Sequence, residues 1–239
     1  VRDAEDALSA ASDTEEFHTI GARINGVWNQ WDYNLEGAFQ LGDAAISADD
    51  GDYEGWAIDF GLGYTFENVA WEPRVALGVV YFTGDDDLTD GDVESFNRVF
   101  SDKEYGELID GGELSNALAV HLGVQAQPTE KIGLGLQWIW FQADEDDVNI
   151  NNNIGIPGLP PFLIIPTEID TDEDLGHEVD LYMTYAYSED LHFKLGYSHF
   201  FTDDGVEEGT LSTGNGQFGF GATDDDDVDY FFLEASLSF

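Results

Sequence analysis

EGWAIDFGLGYTFE, residues 54–67, decides how the rest of the chain is read. Taken in twos, Trp56, Ile58, Phe60, Leu62, Tyr64 and Phe66 fall on one side, and Ala57, Asp59, Gly61, Gly63 and Thr65 on the other. That is the two-residue period of a strand, with one continuously bulky face and one that is small or polar. A soluble sandwich turns its bulky face inward and covers the outside with Lys, Glu and Thr. The face left for water here is too rich in glycine and too poor in charge for that task. The inverse assignment fits, with bulky residues against lipid and small or polar ones lining a lumen.

The same alternation recurs in FHTIGARIN, WDYNLEGAFQLG, EPRVALGVVYFTG, NALAVHLGVQAQP, KIGLGLQWIWFQA, HEVDLYMTYAYS, LHFKLGYSHFF and the closing DYFFLEASLSF, which with the first stretch makes nine segments. Aromatic residues gather at their ends, Trp28, Trp31, Trp71, Tyr187 and Phe239 at one set and Trp56, Trp138, Trp140 and Phe201 at the other. Two interfacial girdles require this placement. The reading is all-β: a transmembrane antiparallel β-barrel, with residues 1–239 forming one unit.

The connections alternate between short (NGVWNQ, NVAW, TEK, ED) and long, and every acidic cluster lies in or beside a long one. Outer-membrane barrels have short periplasmic turns and long extracellular loops, which puts the acidic loops outside the cell and Phe239 at the periplasmic rim. Nine strands make the first and last run the same way, whereas single-chain bacterial barrels close antiparallel with an even count. The expectation is therefore the C-terminal part of a larger barrel, the alternative being a strand count that is off by one within the long loops.

Composition narrows the partners. Lys and Arg number 7 against 51 Asp and Glu, a formal charge of −44, and there is no cysteine. Such a chain repels nucleic acid and has neither disulfides nor a thiolate site. No apolar run is long enough for a membrane-spanning helix, which leaves transmembrane strands untouched. The chain begins at Val1 without a basic n-region or apolar h-region, so any secretory signal is expected to have been removed or to lie outside it. Bacterial outer-membrane lipid is the expected surrounding, and surface partners are expected at the long loops.

The stretches HTIGARINGVWNQWDYNLEGAFQLG (18–42), YFTGDDDLTDGDVESFNRVFSDKEYGELID (81–110), QAQPTEKIGLGLQWIWFQADEDD (125–147) and GHEVDLYMTYAYSEDLHFKLGYSHFFTDDG (176–205) together resemble the C-terminal half of the alginate-export family of outer-membrane porins. GDDDLTDGD followed by FNRVF is the most specific part. The resemblance implies an 18-stranded barrel through which an anionic polysaccharide leaves the cell, helped by lumenal Arg and Lys.

On the small faces the phasing sets Arg23, Arg74, His121 and Lys194 against Glu36, Asp59, Asp180 and Glu234 as pore-lining residues. A polyuronate sliding through a pore exchanges hydration and counterions for fixed positive charge, and this balance of acids over bases favours cations instead. The functional expectation is a channel without a cofactor, passing hydrophilic solutes or an acidic polysaccharide. The alternative is a surface structural or adhesion barrel whose acidic loops bind cations.

Other constellations carry less. Asp85, Asp87, Asp90 and Asp92 offer a loose Ca2+ site that does not meet the EF-hand pattern. Glu145 and Asp146 lie in a loop run that does not encode a glycosidase dyad. Ser198 and His199 are adjacent in a strand and point to opposite faces, so they do not form a nucleophile and base. No enzyme is expected. The apolar stretch at residues 154–166 has three open roles, as a lumenal constriction, a partner contact or a membrane contact.

Overall fold

The computed structural model describes residues 16–44, 51–87, 92–97, 105–107, 115–145, 147–149, 168–170, 172–205 and 227–238. Twelve strands follow one another: β1 (Glu16–Trp28), β2 (Trp31–Ala44), β3 (Gly51–Tyr53), β4 (Trp56–Thr65), β5 (Arg74–Phe82), β6 (Ala117–Thr129), β7 (Ile132–Gln142), β8 (Asp147–Asn149), β9 (Glu168–Asp170), β10 (Asp174–Ala186), β11 (Leu191–Thr202) and β12 (Val228–Leu237). Nine of them form one sheet in the order β1-β2-β4-β5-β6-β7-β10-β11-β12, with β3 added beside β2. Every pairing along that path is antiparallel. Among the described residues the sheet is open, and its two edges, β1 and β12, run in the same direction. Strands β8 and β9 pair separately.

Short turns join the strands at one end, each with its own device. Asn29 takes a φ of 55° between β1 and β2, a left-handed conformation that asparagine accepts more readily than most residues. Between β6 and β7 the Thr129 hydroxyl accepts from the amides of Lys131 and Ile132, at 3.2 and 3.0 Å. Ser188 does the same for Leu191 at 3.1 Å. At the other end the connections are long.

Register fixes the faces. Trp31, Tyr64 and Val75 stand in one cross-strand row and Leu35, Phe60 and Val79 in another, so the bulky residues of successive strands all emerge on one side. That side is solvent-accessible, with Ile24 58%, Leu181 56% and Leu233 69% exposed. An apolar belt of this extent, backed by a polar opposite face, calls for lipid rather than water. Among the described residues no helix is long and apolar enough to cross a membrane.

The inner face departs from the expectation that small and polar residues line it throughout. Towards the long-loop end Val80, Phe82, Ile139, Phe141 and Phe200 are buried there, together with Leu175, Phe96 and Tyr105. Phe96 and Tyr105 belong to the connection between β5 and β6, so part of a long acidic loop lies on the inner face instead of standing clear of the sheet. Burying side chains such as Phe141 and Phe200 is worth about 1.5–3 kcal/mol each, and this cluster is what attaches the loop.

Candidate functional site: the inner face and the strap across it

Two described pieces of the β5–β6 connection, residues 92–97 and 105–107, form a strap over the inner face. Val93 bridges Tyr53 in parallel, and its N–H donates to the Asp52 carbonyl at 2.8 Å. Gln40, 1% exposed on β2, holds both backbone polar groups of Asn97. Its Nε2 donates to the Asn97 carbonyl and its Oε1 accepts the Asn97 N–H, each at 2.7 Å. Such reciprocal amide pairing satisfies a buried polar side chain that would otherwise destabilise the fold. Phe96 stacks on Phe82 with ring centroids 5.8 Å apart, and Tyr105 meets the same ring at 6.2 Å.

The far end of the strap docks on β7, β10 and β11. Gln137 Nε2 donates to the Tyr105 carbonyl at 3.0 Å, and the Glu107 N–H donates to Glu178 Oε1 at 2.8 Å. Gly106 lies so close to Glu178 that a Cβ there would stand 2.4 Å from Oε2. Glu107 in turn forms an ion pair with Lys194. Lys194 Nζ also lies 5.3 Å from the Tyr182 ring centre and 5.0 Å from that of Phe232.

The eight residues assigned to the small faces share the inner side of the sheet. Arg23 pairs in register with Glu36, and Glu36 with Asp59. Lys194 stands opposite Glu234. The bases are not free. Arg23 Nε is 3.7 Å from Glu36, Arg74 is gripped by both oxygens of Asp32 at 2.8 and 2.5 Å, and Lys194 holds Glu107. Asp59 accepts from Asn34 at 2.8 Å. Asp180 and Ser198, side by side and 2% and 0% exposed, have an Oδ1 and an Oγ without a hydrogen-bond partner. His121 sits at the same register as Gly78 and covers it.

One cross-strand row near the short-turn end stands out. Arg74 is opposite Gln125, Gln125 opposite Gly135, and Gly135 opposite Tyr182. The Tyr182 ring lies over Gly135, where a Cβ would be 2.1 Å from Cζ. This posture carries its hydroxyl across β7 to Gln125, whose Nε2 donates to it at 2.9 Å. Phe232 lies over Gly196 in the same manner. Glycines on the inner face thus let long side chains lie flat along the wall.

Of the aspartates suggested for Ca2+, Asp85 is buried beside the strap, Asp92 accepts the Asp52 N–H at 2.8 Å, and Asp90 is outside the described residues. Among the described residues no group of three or more acids or histidines is arranged to hold a metal. Asp86 and Glu94 share a hydrogen bond that, with burial and the Asp86 charge, raises the Glu94 carboxyl above its ordinary range. Ser198 faces inward and His199 outward, where Asp229 meets its Nδ1 at 2.8 Å. Residues 154–166, Asp146 and Phe239 lie outside the described residues.

A family model described as "Alginate export" matches residues 2–220. The chain belongs to the alginate export family, whose members are transport channels of the outer membrane, and this places it in general terms among polysaccharide-export channels rather than enzymes. A search of curated proteins found no match.

Proposed function

We propose that this chain supplies the C-terminal half of an outer-membrane channel that passes hydrophilic solutes, sugar chains included, along a wall that prefers cations. The open edges β1 and β12 present unpaired ladders that further strands would close into a larger barrel. The small face is the pore lining, and the strap narrows the lumen from the long-loop end.

The observation that carries this reading is the pairing of the bases. Arg23, Arg74 and Lys194 each hold a carboxylate, and Asp59, Glu178, Asp180 and Glu234 add negative charge on the same face. Among the described residues a polyanion meeting this wall finds no bare basic track, and it travels with its cations.

Planar-bilayer recordings of the full-length protein in a salt gradient test the proposal. The reversal potential is expected to show a weak cation preference, with little block by polyuronate. Strong anion selectivity together with block by submillimolar oligouronate would overturn it and restore a dedicated polyanion exporter.

A further inference from the structure

A recess of about 380 Å³ opens on the inner face at the short-turn end, lined by Thr65, Glu72, Arg74, Gln125, Tyr182 and Thr184 among others. Arg74 has its charge balanced by the bidentate grip of Asp32, and Glu72 leaves the lining without surplus positive charge. Besides these charges, and the Glu107-paired Lys194 ammonium 5.3 Å from the Tyr182 ring centre, the recess offers a set of uncharged groups. The Tyr182 oxygen accepts from Gln125, which leaves its own O–H proton to donate. The Gln125 carbonyl is an acceptor, and the Thr184 hydroxyl is both donor and acceptor. Beside them lies the flat Tyr182 ring, held down over Gly135.

Hydroxyl-sized donors and acceptors around an aromatic face complement a pyranose ring, which has hydroxyls at its rim and apolar C–H groups on its faces. We infer that this recess is a sugar subsite that reads the hydroxyls and ring face of a pyranose unit rather than its carboxylate. The inference rests on the reading of this face as a channel wall and extends it. At the short-turn end, the end that the loop lengths assign to the periplasm, the subsite is the first feature that an outgoing chain meets. Neutral and uronic sugars of the same length are therefore held alike, and Glu72 gives no advantage to the charged one.

The test is current interruption in bilayers containing the full-length protein at 1 M salt, where charges are screened beyond about 3 Å. The probes are a neutral linear hexasaccharide and an oligouronate of equal length. Both are expected to interrupt the current, with dwell times shortened roughly two- to tenfold, the worth of one hydrogen bond, in Gln125→Ala, Tyr182→Phe and Thr184→Val. Tyr182→Phe keeps the ring over Gly135, so it removes the hydroxyl without removing the packing. Heat-modifiable gel migration confirms that each variant is folded. Interruption by the uronate alone, or wild-type dwell times in all three variants, would overturn the subsite.

The reversal potential from the same recordings judges the channel reading separately. If the protein carries no current, calorimetric titration of the hexasaccharide into the detergent-solubilised protein still decides the matter. Binding that weakens in Gln125→Ala upholds the subsite, and no binding to the wild type rejects it.

Discussion

Glu107 and Lys194 form an ion pair across the inner face, although the loop bearing Glu107 leaves the sheet from β5, four strands away from β11 in the sheet order. The contact does two things at once. It anchors the far end of the strap, and it withdraws the Lys194 ammonium from any passing anion.

Breaking that pair should loosen the strap without unfolding the sheet. Charge-assisted hydrogen bonds contribute about 1.5–3 kcal/mol, less where water screens them. Lys194→Met and Glu107→Gln are each expected to speed limited proteolysis within residues 92–107. The double variant should be little worse than either single one. Additive effects in that cycle would mean that the two residues do not act on each other.

Asp180 gives the opposite expectation. A carboxylate 2% exposed with an oxygen lacking a hydrogen-bond partner carries a desolvation cost that an amide reduces. Asp180→Asn should raise resistance to denaturant by about 1–3 kcal/mol. Destabilisation instead would show that the carboxylate holds a cation beneath the strap.

The assignment of faces is checked by placing one charge on each side. Leu62→Arg, on the bulky face, is expected to cost about 2–4 kcal/mol near the bilayer midplane. Thr65→Asn, on the inner face, should be nearly neutral. Gly61 makes a poor control, because a Cβ there would lie 2.1 Å from Asn34 Oδ1. Folding yields into lipid vesicles measure both, and equal tolerance would reverse the faces.

Acidity should tighten the near end of the strap. Glu94 in the folded protein holds its proton above the ordinary carboxylate range, first because of the hydrogen bond with Asp86. A raised folded value means that the contribution is fully present below the ordinary carboxylate pKa and is lost as pH rises through the folded value. Hydrogen-exchange protection at the Val93 and Asn97 amides is expected to fall across that interval. In Glu94→Gln the fall should disappear, and a fall that persisted would assign the pH response to other groups.

The strands were legible in the sequence because lipid-facing residues repeat in twos, a signal that Trp56 to Tyr64 carry without interruption. Phase alone put Arg23, Arg74 and Lys194 on one face, and the register agrees. What phase does not encode is partnership between strands. Arg74 meets Asp32 across Gly63, and Asn34 occupies Asp59, because neighbouring strands bring those residues together. The strap was hidden for a related reason, since loops have no period to read. Its signal was compositional: Phe96 and Tyr105 are aromatic residues within an acidic connection, and a fully hydrated loop has no use for them.

The strap also dictates an order of events. Each long strand pairs with its successor in the sheet, so the sheet can grow one hairpin at a time, with closures that alternate between short turns and long loops. The strap obeys a different rule, because one of its ends is clasped by Gln40 on β2 and the other by Lys194 on β11. The second clasp does not exist until β11 has joined. Refolding should therefore show rapid zippering followed by a slower docking phase, with the bore wide open in the interval between them.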